Sequence, residues 1–164
     1  MDSWKEMIER TLILIKSDGV ERGLIGEITA RFERAGFKII GMKMFWTDDS
    51  FARKHYPKTI EDKYGKEIRD RIVDYLKQGP VVAMVLEGIN AIENIRKIVG
   101  DTYPNQSAPG TIRGDYAHIS KEYANKNKRH VKNLIHASGN KEDAKAEIKL
   151  WFSDSELHEY KTVY

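Results

Sequence analysis

Apolar residues in this 164-residue chain come in short blocks, and the blocks switch repeatedly between strand-like and helix-like spacing. TLILIK (11–16) is a brief apolar run opened by threonine and closed by the turn signal SDG, which predicts a buried strand. In RGLIGEITARFERAG (22–36), Leu24, Ile25, Ile28 and Phe32 share one helical face, and Gly36 stands where helices commonly stop. FKIIGMKMFW (37–46) alternates as a second strand, and TDDSFARKHY (47–56) opens on capping residues that predict a short helix. Residues 59–78 carry Ile68, Ile72, Val73 and Leu76 at helical spacing, so one helix is expected there. GPVVAMVLEG (79–88) is the clearest strand, and NAIENIRKIVG (90–100) follows as a helix ended by glycine.

The second half is more irregular. DTYPNQSAPGTIRGDY (101–116), with its prolines and glycines, reads as a structured loop, and 117–130 shows no clear period. NLIHAS (133–138) predicts a last strand, KEDAKAEIKLWF (141–152) a helix, and SDSEL (153–157) a capped terminal turn. The order β-α-β-α-β-α-β has no repeat, low-complexity tract or linker, so residues 1–164 are expected to form one domain. Two β-α-β units in so short a chain predict an α/β (α+β) fold of the ferredoxin-like βαββαβ type. It would have a four-stranded antiparallel sheet, helices on one face and an extra C-terminal helix. A doubly wound parallel sheet is the competing plan. It is disfavoured because only four strands are readable and neither G-x-x-x-x-G-K-[ST] nor G-x-G-x-x-G occurs.

Composition narrows the function. Apolar residues are 40% and charged residues 32%, with no apolar run long enough for a membrane span. The start, MDSWKEMIER, mixes acids and bases and does not read as a signal peptide, so a cytoplasmic location is expected. The absence of cysteine removes disulfides, thiolate metal sites and thiol catalysis, and suits a reducing compartment. A net charge of +3 permits an anionic substrate but is mild for nucleic acid, and the aromatic signature of RNA-recognition domains is missing. His55, His118, His130, His136 and His158 form no H-x-x-x-H or H-E-x-x-H pair, which removes a metal hydrolase.

Phosphate-binding side chains gather at the ends of the predicted strands. Lys16 closes the first strand, Arg96 lies late on the helix after the third, Thr102 and Arg113 flank the Pro/Gly loop, and Asn133 precedes His136 by three residues. Each alone has an ordinary explanation as a surface or turn residue. Together, a lysine and two arginines can neutralise a polyphosphate, arginine's planar fork matching phosphate oxygens. A neutral histidine among them is a competent nucleophile toward phosphorus, provided an acceptor on its second ring nitrogen sets the tautomer. Glu147, on the following predicted helix, can supply that acceptor.

The strings TLILIKSDGVERGLIGEI, GPVVAMVLEG, RKIVGDTYP, PGTIRGDY, NLIHAS and EIKLWF stand in this order over about residues 9–160. In that order the chain resembles the nucleoside diphosphate kinases. The resemblance implies ping-pong transfer of the γ-phosphate of a nucleoside triphosphate such as ATP to a nucleoside diphosphate, through a phosphohistidine on His136. It implies Glu147 as acceptor for the histidine's other nitrogen, Ser138 as support, and Tyr56 as a hydroxyl donor to the transferring group. Lys16, Arg96, Thr102, Arg113 and Asn133 would bind phosphates and ribose. Mg²⁺ would arrive on the nucleotide, held by its phosphates and water rather than by a protein cage. A homo-hexamer is expected, with a tetramer as the alternative form in the family.

Several positions depart from the family pattern. Ser17 stands where proline is usual, and Ala137 and Gly139 replace the glycine and aspartate usual around Ser138. The chain is longer between Tyr56 and Gly79, where an aromatic stacks on the base; Tyr64 is the candidate for that role. It is also longer between Asp115 and Asn133, a stretch holding Lys126, Lys128, Arg129 and His130 and expected to be a solvated basic loop. A member that has lost catalysis should lack a core residue of the site. Only the acid at position 139 is missing, so an active enzyme is expected.

Overall fold

The computed structural model describes residues 3–162. The first two residues of the charged start lie outside them. After a 3₁₀ turn over Ser3–Met7 come β1 (Ile8–Ile15), α1 (Ser17–Glu21), α2 (Ile25–Arg34) and β2 (Lys38–Phe45). A helical excursion follows, α3 (Asp49–His55), α4 (Lys58–Tyr64) and α5 (Lys66–Lys77), before β3 (Val81–Ile89) and α6 (Ala91–Val99). The chain ends with α7 (Ile112–Tyr116), α8 (Lys121–Lys126), β4 (Ile135–Ala137), α9 (Lys141–Trp151) and a 3₁₀ turn over Asp154–Glu156.

The four strands form one antiparallel sheet in the order β2-β3-β1-β4, the ferredoxin-like arrangement. Leu12 to Ile15 of the central β1 are all completely buried. Ile13 and Ile15 pack with Ile28 and Phe32 of α2 and with Ile95 and Val99 of α6. Leu12 and Leu14 point the other way, into a second layer with Ala52, Val73, Leu76, Trp151 and Phe152. Helices therefore cover both faces, not the one face expected. The unbroken run TLILI, in place of apolar–polar alternation, is the signature of a strand buried on both sides.

Other differences from the sequence reading have local causes. The single helix expected over 59–78 is two helices broken at Gly65, whose φ of 90° and ψ of 156° lie in a region open essentially to glycine alone. The helix expected over 22–36 begins at Ile25, after the separate turn of α1. The loop at 101–116 carries α7, started by Thr111, whose side chain accepts from the Gly114 N–H. The segment 117–130, unassigned from its pattern, contains α8, capped in the same way by Ser120. β4 is shorter than expected, leaving Asn133 outside it. SDSEL is capped as expected, Ser153 and Glu156 forming a reciprocal capping box.

The chain after that box runs along the edge strand. His158 N–H donates to the Ile40 carbonyl at 2.7 Å and the Tyr160 hydroxyl to that of Ile39 at 2.6 Å. This covers the bulged half of β2 and leaves Met42 and Met44 on the other half, and Trp46 just after it, exposed. At the helix break, Gly65→Ala is expected to lower unfolding stability by about 1–3 kcal/mol, the strain of forcing a Cβ into that backbone region. A urea midpoint equal to wild type would show that the break does not depend on glycine.

Candidate active site

β4 is short, but its pairing with β1 aims one side chain. Ile135 and Ala137 enter the core, so His136, opposite Leu14, projects from the other face. Its Nε2 lies 3.1 Å from both carboxylate oxygens of Glu147 on α9. Asn140 starts α9 by accepting from the Asp143 N–H at 2.8 Å, which fixes the helix that carries Glu147. Ser138 is completely buried; its Oγ accepts from the Leu12 N–H and donates to Glu147 Oε2 at 2.6 Å. Burial pushes the Glu147 carboxyl up, but the charge and hydrogen bond of His136, with His55 and Ser138, hold it below the usual range. An ionised Glu147 on Nε2 keeps that nitrogen protonated and leaves Nδ1 with its lone pair.

Lys16 closes β1 and is buried, donating to Asn133 Oδ1 at 2.8 Å above the Tyr75 ring. Burial and the neighbouring Arg113 bring its ammonium down to about 7, against the opposing pull of Asp18. Arg113 on α7 donates to four carbonyls: Nε to Asn133, Nη1 to Gly100 and Asp101, and Nη2 to Ile135 at 2.6 Å. Four of its five N–H groups are thus engaged by the fold, leaving one for a ligand. Burial pushes this guanidinium down to about 10.

Asn133 joins these groups, its Nδ2 donating to the Thr102 carbonyl at 2.9 Å and its N–H to the Tyr75 hydroxyl at 3.2 Å. Tyr75 donates in turn to Asp18 Oδ1 at 2.6 Å, and Asp18 Oδ2 accepts from the Leu134 N–H. A cavity of about 1470 Å³ opens over this floor, with Lys16, Tyr56, Arg96, Thr102, Arg113, Asn133 and His136 in its wall. That is more room than most small-molecule pockets offer. Arg96 is exposed in it, and Tyr64 stands in its wall 52% exposed. Burial, then Glu147, pushes the Tyr56 phenol up, so it stays a donor. Every site residue expected from sequence lines this cavity except Ser138, which lies beneath it.

Four residues escaped the sequence reading. Asp18 passed as part of a turn signal and Tyr75 as one more position on an apolar helix. His55 is buried between Tyr56, Trp151 and His136. His130, expected in a solvated loop, instead tilts against Tyr75 at 5.0 Å and lines the cavity, while Lys126, Lys128 and Arg129 are exposed as expected. Burial and Lys16 push His130 down to about 3. Beside Gly139, where the family's acid is missing, Asp143 Oδ2 lies 3.0 Å from where a Cβ on residue 139 would stand.

Among the described residues, the metal-ligating types converge at His55, His136 and Glu147, within 4.8 Å of one another. Two imidazoles and one carboxylate are a poor set for Mg²⁺, which takes oxygen ligands.

A cavity whose floor holds Lys16 and Arg113 beside an imidazole oriented by a carboxylate has the chemistry of a phosphotransferase working on a polyphosphate. The family model described as "Nucleoside diphosphate kinase" matches residues 9–157. A nucleoside diphosphate kinase of Pyrococcus furiosus is 48% identical over 93% of this chain and 88% of its own length. The solved structure described as a transition state mimic of the Borrelia burgdorferi nucleoside-diphosphate kinase, with bound vanadate and ADP, superposes with a TM-score of 0.94 at 40% identity, covering 96% of this chain and 95% of that one. The halophilic enzyme of Halobacterium salinarum in complex with CDP gives 0.81 at 38% identity, with 94% of each chain covered. The chain belongs to the nucleoside diphosphate kinase family. Its activity is transfer of the γ-phosphate of a nucleoside triphosphate to a nucleoside diphosphate through a phosphohistidine.

A polyphosphate placed beside Lys16 raises the pKa that burial has lowered to about 7. Above that pH, free Lys16 is largely neutral and nucleotide-bound Lys16 charged, so binding takes up a proton. Calorimetric titration with ADP at pH 8, in buffers of different ionisation enthalpy, should show uptake approaching one proton, lost in Lys16→Met. Equal heats in all buffers would show that Lys16 does not change charge.

Proposed function

We propose that His136 carries the phosphoryl group and attacks through Nδ1. The double contact between Nε2 and the Glu147 carboxylate carries this reading. It sets the tautomer, and it stabilises the positive imidazole that forms when the Nδ1–P bond is made and the bond from phosphorus to the bridging oxygen breaks. The nucleoside diphosphate leaves with that electron pair, and a second diphosphate attacks the same phosphorus in reverse.

Protein chemistry in such a transfer is chiefly positioning and charge stabilisation. Lys16 and the free N–H of Arg113 face the transferring oxygens, with the Tyr56 hydroxyl as a third donor. Arg96, Thr102 and Asn133 hold the remaining phosphates and the ribose, and Tyr64 gives the base a stacking face. Ser138 keeps Glu147 in place. The described residues offer Mg²⁺ no oxygen cage, so it would be held by the nucleotide's phosphates and by water, with Asp143 as acceptor for that water, where it neutralises phosphate charge.

The same reading takes residues 1–164 as one domain that assembles as a homo-hexamer, and it places the chain in the cytoplasm. Exposed Met42 and Met44 on the edge strand, with Trp46 just after it, support association. Absence of cysteine suits a reducing compartment, and none of the described helices is long and apolar enough to cross a membrane. Sedimentation as a monomer or isolated dimer would overturn the hexamer.

Intact mass at neutral pH after brief incubation with ATP and Mg²⁺ should show one added phosphate. GDP should discharge it, and His136→Ala should lack it. An adduct that persists in His136→Ala would place the carrier elsewhere.

A further inference from the structure

His55 sits at the end of α3, 5% exposed, with its ring 4.8 Å from that of His136 and nearly perpendicular to it. Trp151 Nε1 points at His55 Nδ1 from 3.1 Å. An indole nitrogen only donates, so Nδ1 must be the acceptor and bear the lone pair. Burial, with His136 beside it, pushes His55 down to about 3, so the ring is neutral at working pH. A neutral ring with a bare Nδ1 carries its one proton on Nε2. That Nε2 is buried and has no hydrogen-bond partner among the described residues.

Buried donors are nearly always satisfied, because leaving one bare forfeits its bonds to water. The unmet donor here stands beside the one side chain that gains new acceptor atoms during the reaction. A phosphoryl group on His136 brings three oxygens to a ring that packs 4.8 Å from the one whose N–H is unanswered. The same tautomer argues against a metal at His55, His136 and Glu147: a protonated Nε2 has no lone pair to give, and His136 Nε2 and Glu147 already hold each other.

We propose that His55 is a catalytic residue that donates Nε2–H to a phosphoryl oxygen on phosphorylated His136, with Trp151 holding its tautomer. The donor acts on the phosphorylated state, so it favours the intermediate without strengthening the binding of free nucleotide. The proposal rests on His136 being the carrier.

The full chain is equilibrated with Mg²⁺ and ATP/ADP mixtures, and the phosphorylated fraction is read by intact mass at neutral pH. His55→Phe keeps the ring's bulk and removes the donor. It should need an ATP/ADP ratio about 10- to 100-fold higher than wild type for half-phosphorylation, the loss expected for one charge-assisted bond. ADP affinity should stay within about twofold. His55→Gln, whose amide places an N–H near the position of Nε2, should recover most of the shift. In wild type, nitrogen-15 NMR should show His55 protonated on Nε2, with that proton moving downfield on phosphorylation. A His136 adduct whose midpoint is unmoved by His55→Phe, or a His55 proton found on Nδ1, overturns this proposal alone. No wild-type adduct on His136 overturns the reading of the carrier and this proposal together.

Discussion

Asn133 engages all four of its polar groups with partners from different parts of the fold. Its side-chain oxygen holds Lys16 at the end of β1, and its amide nitrogen reaches the loop at Thr102. Its carbonyl accepts from Arg113, and its own N–H meets the Tyr75 hydroxyl on α5. One residue therefore sets the spacing of both buried cations. The next residue, Leu134, is completely apolar and almost fully buried, yet has φ of +69°, and the Ile135 N–H bonds back to the Asn133 carbonyl at 2.8 Å. That is a γ-turn of the rare, strained hand, costing about 1–3 kcal/mol. The core grip on Leu134 and the bonds from its N–H to Asp18 and from Lys16 N–H to its carbonyl hold the strain in place. The turn is what swings the chain from the cationic floor into β4, where His136 begins.

Holding two cations this close is unfavourable without an anion. Desolvation lowers the pKa of both Lys16 and Arg113, and the neighbouring cation adds to it, Arg113 for Lys16 and Arg96 for Arg113. The fold offsets it with groups that are neutral or only partly charged: four carbonyls around Arg113, an amide oxygen on Lys16 and the Tyr75 ring beneath Lys16. A full carboxylate in direct contact would neutralise the cations and compete with substrate. Asp18 is kept one step away, bonded through Tyr75 and the Leu134 N–H. The floor thus stays short of negative charge until a polyphosphate supplies it.

The sequence showed the sheet well because its signal is local. TLILI, VVAMVL and the stripes of α2 and α6 are apolar enough to be read without knowing their partners. The recognisable strings also held most of the expected side chains that line the cavity, from Lys16 to Glu147. Contacts that need distant partners stayed hidden. Asp18 and Tyr75 are 57 residues apart, and Trp151 reaches His55 across 96. A tyrosine in a helix stripe or an aspartate before glycine looks the same whether or not such a partner exists. The break at Gly65 was hidden differently, since the apolar period of α5 runs on through 59–78 and masks a single glycine.

The distribution of polarity along the cavity bears on which substrates it separates. Groups that are fixed by hydrogen bonds lie on the floor, where phosphates and ribose would meet Lys16, Asn133 and Arg113. Tyr64, the stacking surface proposed for the base, is an exposed ring with Lys63 over it at 5.1 Å. Discrimination of four or five orders of magnitude requires a site whose own buried donors or acceptors go unpaired with the wrong substrate. An exposed ring on which a base only stacks leaves no buried group unpaired. With the base on Tyr64 as proposed, the cavity would select strongly for the polyphosphate and weakly for the base, which is what one cavity must do if it receives one nucleotide in the first half-reaction and another in the second.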